Sequence, residues 1–132
     1  MSTRDIGEME DGGATPSVVV IDDDRAGGEI IGRFIAGSGF TARVESNVFA
    51  GLHAVRRAQP TVVLLDIQLP GIDGIAAAAM VHRYAPAAKV ILMSGFPEQL
   101  SKASRDSLSA FAILEKPLPL PAIVDFVRRA VG

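Results

Sequence analysis

Apolar and polar positions form alternating blocks along the chain, and these blocks predict strands that alternate with helices. Short apolar runs rich in β-branched residues indicate strands that are covered on both faces. The longer stretches between them repeat apolar residues at intervals of three and four, which is the spacing of an amphipathic helix. Five strands are predicted, at Ser17–Asp22, Thr41–Glu45, Thr61–Asp66, Lys89–Ser94 and Ala112–Glu115.

The predicted helices are bounded by residues that begin or end helices. Asn47 suits the N-cap of the second helix, and Pro60 follows its end. The third helix stops before Pro86. A fourth begins near Pro97, where several serines dilute the apolar pattern, and a fifth runs from about Leu120 to Val131.

Strands that alternate with helices form βαβ units, and right-handed units of this kind build a doubly wound parallel sheet. The sequence therefore predicts an α/β domain, residues 17–132, with five parallel strands and helices on both faces. Residues 1–16 are polar, acidic and glycine-bearing. We expect them to form a disordered or loosely ordered tail, because such a segment buries too little apolar surface to offset its ordering entropy.

Composition narrows the function classes. The chain has 132 residues, of which 48% are hydrophobic and 21% charged, as in an ordinary single globular domain. Its net charge of −2 argues against non-specific binding to nucleic acid or to an anionic membrane. The absence of cysteine excludes disulfides and thiol chemistry. Because the apolar runs are short and no secretory signal begins the chain, we expect a cytoplasmic protein.

The residues at the predicted strand ends carry the candidate chemistry, since ligands of open parallel sheets bind beyond the carboxyl ends of the strands. Asp22–Asp24 follow the first strand, and Asp66 ends the third. Ser94 ends the fourth strand, and Lys116 follows the fifth. Adjacent carboxylates repel each other, and a hard cation such as Mg²⁺ relieves that repulsion. With an ammonium and a hydroxyl beside them, these carboxylates are suited to accept a phosphoryl group.

Four segments, in this order, resemble the defining segments of bacterial response-regulator receiver domains. Val18–Asp24 looks like their first strand and acidic pair, and Leu64–Gly74 resembles the segment around their phosphoacceptor. Val90–Gly95 is similar to their fourth strand, and Leu114–Leu118 to their Lys-Pro motif. The resemblance covers about residues 17–131 and implies a flavodoxin-like sheet with strand order 2-1-3-4-5.

The resemblance implies a role for each residue at the strand ends. Asp66 would be the phosphoacceptor, which takes its phosphoryl group from a histidine kinase or a histidine phosphotransfer protein. Asp23 and Asp66 would bind Mg²⁺ together with the backbone carbonyl of Gln68. Asp22 would act through water or as a further ligand. Lys116 would pair with the acceptor carboxylate and then with the phosphoryl group.

The resemblance also concerns the neighbours of the acceptor. Ser94 would move toward the new phosphoryl oxygen and shift the adjoining loop and the fourth helix. Gln68 and Phe96 would flank the phosphoryl group and tune the access of water. The Lys116–Pro117 peptide bond would be cis. Ile113 stands where the family usually has Tyr or Phe. This departure concerns the rotation of an aromatic side chain as a reporter of activation, and not the phosphorylation chemistry.

We therefore expect a single-domain response regulator that accepts a phosphoryl group on Asp66 in a Mg²⁺-dependent reaction. It would signal by protein–protein contact, through the face of its fourth helix, fifth strand and fifth helix, or act as a phosphoryl shuttle or sink. It would catalyse only its own phosphorylation and dephosphorylation. We expect a monomer that binds neither nucleic acid nor membrane.

Alternatives to this function remain within and outside the family. The chain could be the receiver of a hybrid histidine kinase, or an interaction domain that works without phosphorylation. Outside the family, the Asp22-x-Asp24 spacing fits the Asp-x-Asp motif of haloacid-dehalogenase-type phosphatases, with Asp22 as the nucleophile. That alternative leaves Asp66 without a role, and the chain is short for the further motif and cap of those enzymes.

Overall fold

The computed structural model describes residues 17–96, 98, 112–117 and 119–132. The main sheet contains β1 (Ser17–Ile21), β2 (Thr41–Glu45), β3 (Val62–Asp66), β4 (Lys89–Ser94) and β5 (Ala112–Glu115). The helices are α1 (Arg25–Gly37), α2 (Val48–Ala58), α3 (Gly74–Tyr84) and α4 (Leu120–Val131). A short antiparallel hairpin, Gln68–Leu69 with Ile72–Asp73, connects β3 to α3.

The five strands are parallel and lie in the order β2-β1-β3-β4-β5. The predicted doubly wound sheet and its 2-1-3-4-5 order are therefore confirmed. The central strand β3 is buried along its whole length, whereas the edge strand β2 is at most half-buried. This difference explains why β3 is a continuous apolar run and β2 alternates with polar residues.

β1, β3, β4 and β5 each contribute side chains to two separate cores, because successive residues of a strand point to opposite faces of the sheet. Val63 and Leu65 of β3 belong to the core under α2 and α3. Val62 and Leu64 belong to the core under α1 and α4. Helices therefore pack against both faces of the sheet, and this packing fixes the positions of the strand ends.

The helix starts follow from local chemistry. The side chains of Asp24, Asn47 and Asp73 accept hydrogen bonds from backbone N–H groups in the first turns of α1, α2 and α3. Each satisfies a donor that the helix itself leaves unpaired. The predicted N-cap at Asn47 is confirmed.

Helix α1 contains glycines against helix propensity, and tertiary packing explains two of them. A Cβ at Gly32 would lie 2.5 Å from Cγ2 of Val44, and one at Gly28 would lie 3.1 Å from Cγ1 of the same valine. The glycines therefore allow α1 to approach β2 closely.

The structure differs from the sequence-based expectation in small details. β1 ends at Ile21 and β3 begins at Val62, one residue inside the predicted strands. The hairpin between β3 and α3 was not predicted. Residues 1–16 and most of the predicted fourth helix lie outside the described residues. The helix labelled α4 is therefore the predicted fifth helix. Among the described helices, none has the length and apolar character needed to span a lipid bilayer.

Candidate functional site

The sheet places two carboxylates side by side. Ile21 of β1 is in register with Leu65 of β3, so the residues that follow them, Asp22 and Asp66, lie level at the carboxyl edge of the sheet. Both are buried, with 1% of Asp22 and 5% of Asp66 exposed. Burial of two neighbouring carboxylates is costly unless cations or hydrogen-bond donors compensate them.

Lys116 provides that compensation. Its Nζ lies 2.9 Å from Oδ2 of Asp22 and 3.0 Å from Oδ2 of Asp66. The residue follows β5, and its backbone N–H donates to the carbonyl of Ser94 at 2.8 Å, which holds it against the end of β4. Since β4 lies between β5 and β3, the lysine side chain reaches past the end of β4 to the two carboxylates. The Lys116–Pro117 peptide bond is cis, as the resemblance implied.

The second oxygen of each carboxylate is held by the backbone. Oδ1 of Asp22 accepts from the N–H of Asp24 at 3.0 Å, and Oδ1 of Asp66 accepts from the N–H of Gln68 at 2.9 Å. Aspartate commonly bonds to the backbone two residues onward in this way. Both carboxylates are therefore oriented by a backbone donor on one side and by the lysine on the other.

Asp23 completes a group of three acidic residues. Asp22, Asp23 and Asp66 each offer a carboxylate oxygen, and these oxygens lie within 4.8 Å of one another. Such an all-oxygen, carboxylate-rich donor set fits a hard divalent cation such as Mg²⁺. Asp24 is not in this group, and its side chain caps α1 instead. The backbone carbonyl of Gln68 stays a predicted ligand.

The pKa shifts at the site follow from burial and charge. Burial raises the pKa of Asp66, and the nearby Asp22 adds to the increase, while the Gln68 N–H and Lys116 oppose it. For Lys116, burial lowers the pKa, but the hydrogen bonds and charges of the two aspartates outweigh it, so that the pKa is raised. The lysine therefore stays charged at neutral pH, and its one ammonium contacts two members of a group of three carboxyls. This imbalance favours binding of a cation.

Ser94 is a further predicted site residue at this edge. It ends β4, is fully buried, and stands one residue beyond Met93, which is in register with Asp66. Its Oγ accepts a hydrogen bond from the N–H of Phe96 at 3.0 Å. The side chain thus links the acidic site to the loop that follows β4, and the Phe96 side chain is itself exposed.

Ile113 occupies the position where the family usually has an aromatic residue. It pairs with Leu92 of β4 and packs, partly buried, against the core under α2 and α3. The nearby Phe111 lies outside the described residues. Position 113 is therefore an aliphatic packing position in this chain.

Gly74, which ends the Leu64–Gly74 segment, supports the site although it was not among the predicted site residues. A Cβ at this position would clash with the backbone of Ile67, so only glycine lets α3 begin against the segment that follows Asp66. The close approach keeps Gln68, and with it the N–H that orients Asp66, near α3. A glycine directly after Asp73, the residue that caps α3, was the available signal.

Comparison with known proteins agrees with this geometry. Residues 18–128 match the family described as the response regulator receiver domain. The DNA-binding transcriptional regulator NtrC of Escherichia coli (strain K12) is 32% identical over 115 residues, which are 87% of this chain and 24% of that protein. The chain therefore spans about a quarter of the length of the curated relatives it matches.

Solved structures show the same fold. A CheY-like receiver domain protein from Methanospirillum hungatei JF-1 superposes with a TM-score of 0.81 at 19% identity, covering 89% of this chain and 94% of that one. NtrX from Brucella abortus gives 0.78 at 25% identity, covering 87% of this chain and 26% of that one. The fold and the acidic edge define a signalling α/β domain. The chain belongs to the response regulator receiver domain family, and thus to two-component signalling.

Proposed function

We propose that this domain accepts a phosphoryl group on Asp66 in a Mg²⁺-dependent reaction. The observation that carries the proposal is the contact of one Lys116 Nζ with both Asp22 and Asp66, next to the three-carboxylate group that includes Asp23. The carboxylate of Asp66 is buried at the sheet edge and oriented by backbone and lysine, so it is held ready to act as a nucleophile. Phosphoryl transfer requires mainly positioning and charge neutralisation, which this arrangement provides.

In the proposed reaction, an oxygen of Asp66 forms a bond to phosphorus as the bond between phosphorus and the donor nitrogen of a phosphohistidine breaks. Lys116 then turns from the carboxylate oxygen to the transferred phosphoryl group and neutralises part of its charge. The Ser94 hydroxyl leaves the Phe96 N–H and donates to a phosphoryl oxygen. Movement of Ser94 releases the loop after β4, which couples the chemistry to the protein surface.

The residues that would hold Mg²⁺ are Asp23 and Asp66, with Asp22 and the backbone carbonyl of Gln68 as further ligands. When bound, the cation supplies positive charge that lowers the repulsion between the acceptor carboxylate and the phosphoryl oxygens. The domain turns over no other substrate in this proposal. It catalyses only its own phosphorylation and dephosphorylation.

The proposed partners are a histidine kinase or histidine phosphotransfer protein, as donor, and a downstream protein that binds the face near β5 and α4. The relatives that match this chain are longer, so single-domain action, by protein–protein contact or as a phosphoryl shuttle or sink, is part of the proposal. So are the cytoplasmic location and the monomeric state that the sequence analysis expects. Light scattering on the purified chain tests the monomeric state.

The experiment that tests the proposal is intact-protein mass spectrometry after incubation with acetyl phosphate, with and without Mg²⁺. The wild type should gain one phosphoryl adduct that requires Mg²⁺, and Asp66→Asn should gain none. Asp24→Asn is the matched control, because this exposed aspartate caps α1 and asparagine can replace it as a cap.

Two results would contradict the proposal. No adduct on the wild type, with Mg²⁺ present and the fold intact, would favour an interaction domain that works without phosphorylation. An adduct that persists in Asp66→Asn and disappears in Asp22→Asn would favour the haloacid-dehalogenase-type chemistry instead.

A further inference from the structure

A groove runs between α2 and α3, on the opposite face of the sheet from α1 and α4. Its volume is about 190 Å³. Phe49, at the first turn of α2, is 63% exposed, the largest exposed fraction among the large apolar side chains that the structure describes. The groove is lined by Phe49, Leu52, His53, Arg56, Met80 and Tyr84.

The helices that form this groove carry basic residues and no aspartate or glutamate. The sequences of α2 and α3 contain His53, Arg56, Arg57, His82 and Arg83. The nearest carboxylate on these elements is the cap Asp73, at the opposite end of α3 from Arg83. Of these, His53 and Arg56 line the groove, so its charged lining is basic although the chain has a net charge of −2; we call this lining the basic face.

Arg56 is the arginine of this basic face. Its guanidinium carbon is 5.9 Å from the centroid of the Tyr84 ring, which holds the arginine over the groove. In the part of the chain that the structure describes, no carboxylate forms an ion pair with Arg56. Apolar lining with an uncompensated arginine suits a segment that carries both apolar and acidic side chains.

The end of the groove at Tyr84 lies near Ser17, the first residue of β1. The N–H of Thr61 donates to the carbonyl of Ser17, the first residue of β1, at 2.9 Å. Two residues earlier, Gln59 ends α2 and donates from Nε2 to the carbonyl of Tyr84 at 2.9 Å. Ser17 is therefore connected through two hydrogen bonds and a short turn to Tyr84, which lines the groove.

The segment that precedes Ser17 has the matching chemistry. Residues 1–16 contain four acidic residues against one arginine, and two apolar side chains, Ile6 and Met9, stand among the acids. Sixteen residues reach up to about 50 Å when extended. The eleven residues of α2 are about 16 Å long, so the groove is well within reach.

We propose that the α2–α3 groove is a docking site for an acidic segment with apolar side chains, and that residues 1–16 of the same chain are its occupant. Ile6 and Met9 enter the apolar part of the groove near Phe49 and Met80. The acidic side chains face Arg56 and its basic neighbours. The site is separate from the acidic edge of the sheet and does not require phosphorylation of Asp66.

Paramagnetic relaxation measured by NMR on the full chain tests this proposal. The sequence has no cysteine, so Gly12→Cys gives a single position for a nitroxide label next to the proposed anchors. With no phosphoryl donor present, the label should broaden backbone amide signals of α2 and α3 and leave those of α1 and α4 sharp. Addition of 0.5 M NaCl should reduce the broadening, because salt screens exposed ion pairs.

Charge reversal supplies the specificity control. Arg56→Glu should reduce the docked population about fivefold, the upper range for an exposed ion pair. Arg33 is an exposed residue of α1, on the opposite face of the sheet, and Arg33→Glu should leave the broadening unchanged. Ile6→Ser with Met9→Ser should also weaken docking, which separates an apolar contribution from charge alone.

Three results would overturn the proposal. Broadening that is uniform or concentrated on α1 and α4 would show that the groove is not the docking site. Broadening that appears only when label and isotope are on different molecules would assign the groove to a second copy. Absence of broadening, combined with shifts of the α2–α3 amides on addition of a single-stranded oligonucleotide, would assign the basic face to nucleic acid.

Discussion

The interior of β3 and its carboxyl end belong to one strand but have opposite effects on stability. Val62–Leu65 are four apolar residues that are completely buried, and they contribute to both cores of the domain. The next residue, Asp66, is a carboxylate that is almost as buried and whose pKa is raised mainly by that burial. The apolar part stabilises the fold, and the charged end is held in place at a cost in free energy.

This contrast shows how the candidate site is constructed. β3 is hydrogen-bonded to a strand on each side, so its position is fixed. The carboxylate at its end therefore stays close to its neighbours despite the repulsion between them. Lys116 offsets part of the cost by its two contacts, and a bound cation would offset more. Substitutions along this strand and around its end test the contrast, and their expected effects on the free energy of unfolding differ in size.

Leu64→Ala should have the largest effect, since it removes a fully buried side chain from the core under α1 and α4. We expect a loss of about 2–5 kcal/mol in the free energy of unfolding, measured by urea denaturation. Ile30→Ala on the exposed face of α1 is the control and should change stability by less than about 0.5 kcal/mol. A loss of similar size for both variants would show that the strand interior is not the main source of stability.

Lys116→Met should have the second largest effect, because it leaves Asp22 and Asp66 buried without a cation. The lysine side chain is 30% exposed, so we expect a loss of about 1–2 kcal/mol at pH 7, below that of a fully buried pair. The variant should also fail to form the phosphoryl adduct at the wild-type rate. Adding Asp66→Asn should recover part of the lost stability, since one buried charge is then removed.

The pH dependence of this second effect has a defined sign. The pKa of Lys116 is raised in the folded state, so its stabilising contribution is complete below the ordinary value of 10.5 and is lost as the pH rises through the folded value. The stability difference between wild type and Lys116→Met should therefore shrink above about pH 10.5. A difference that grows in that range would contradict the assignment.

Asp66→Asn should have a smaller effect of opposite sign. Because burial raises the pKa of Asp66 above 3.8, the wild type loses stability as the pH rises through the raised value and the group ionises. In Mg²⁺-free buffer at pH 7, the variant should be more stable than the wild type, and the difference should vanish toward pH 3.8. Urea denaturation at several pH values measures this. A less stable variant at pH 7 would show that the Lys116 contact outweighs burial.

Gln68→Ala and Phe96→Ala should have the smallest effect on stability, within about 0.5 kcal/mol, since both side chains are exposed. Their expected effect is kinetic. We predict that each changes the rate at which the acyl phosphate hydrolyses, with little change in Mg²⁺ affinity, because each lies two residues beyond a site residue. Decay of the phosphoprotein followed by mass spectrometry measures this, and unchanged decay in both variants would contradict it.

Much of the fold could be predicted from the sequence because its determinants are local. The buried central strands appear as continuous apolar runs, and the side chains of Asn47 and Asp73 form caps with residues two or three positions away. The acidic and basic residues at the strand ends could be selected because parallel strands present their carboxyl ends at one edge. The strand-end errors of one residue at β1 and β3 do not move any site residue.

The sequence by itself therefore determined the order of elements, the two-sided burial of the sheet and the set of polar residues at its edge. Only the tertiary structure decided that one lysine contacts two aspartates that lie 94 and 50 residues before it. It also decided that the backbone of Ile67 lies where a Cβ of residue 74 would be, and that α2 and α3 leave a groove between them that Arg56 lines. The physical reason is that periodicity and capping act within a few residues, whereas distances between side chains depend on how whole elements pack.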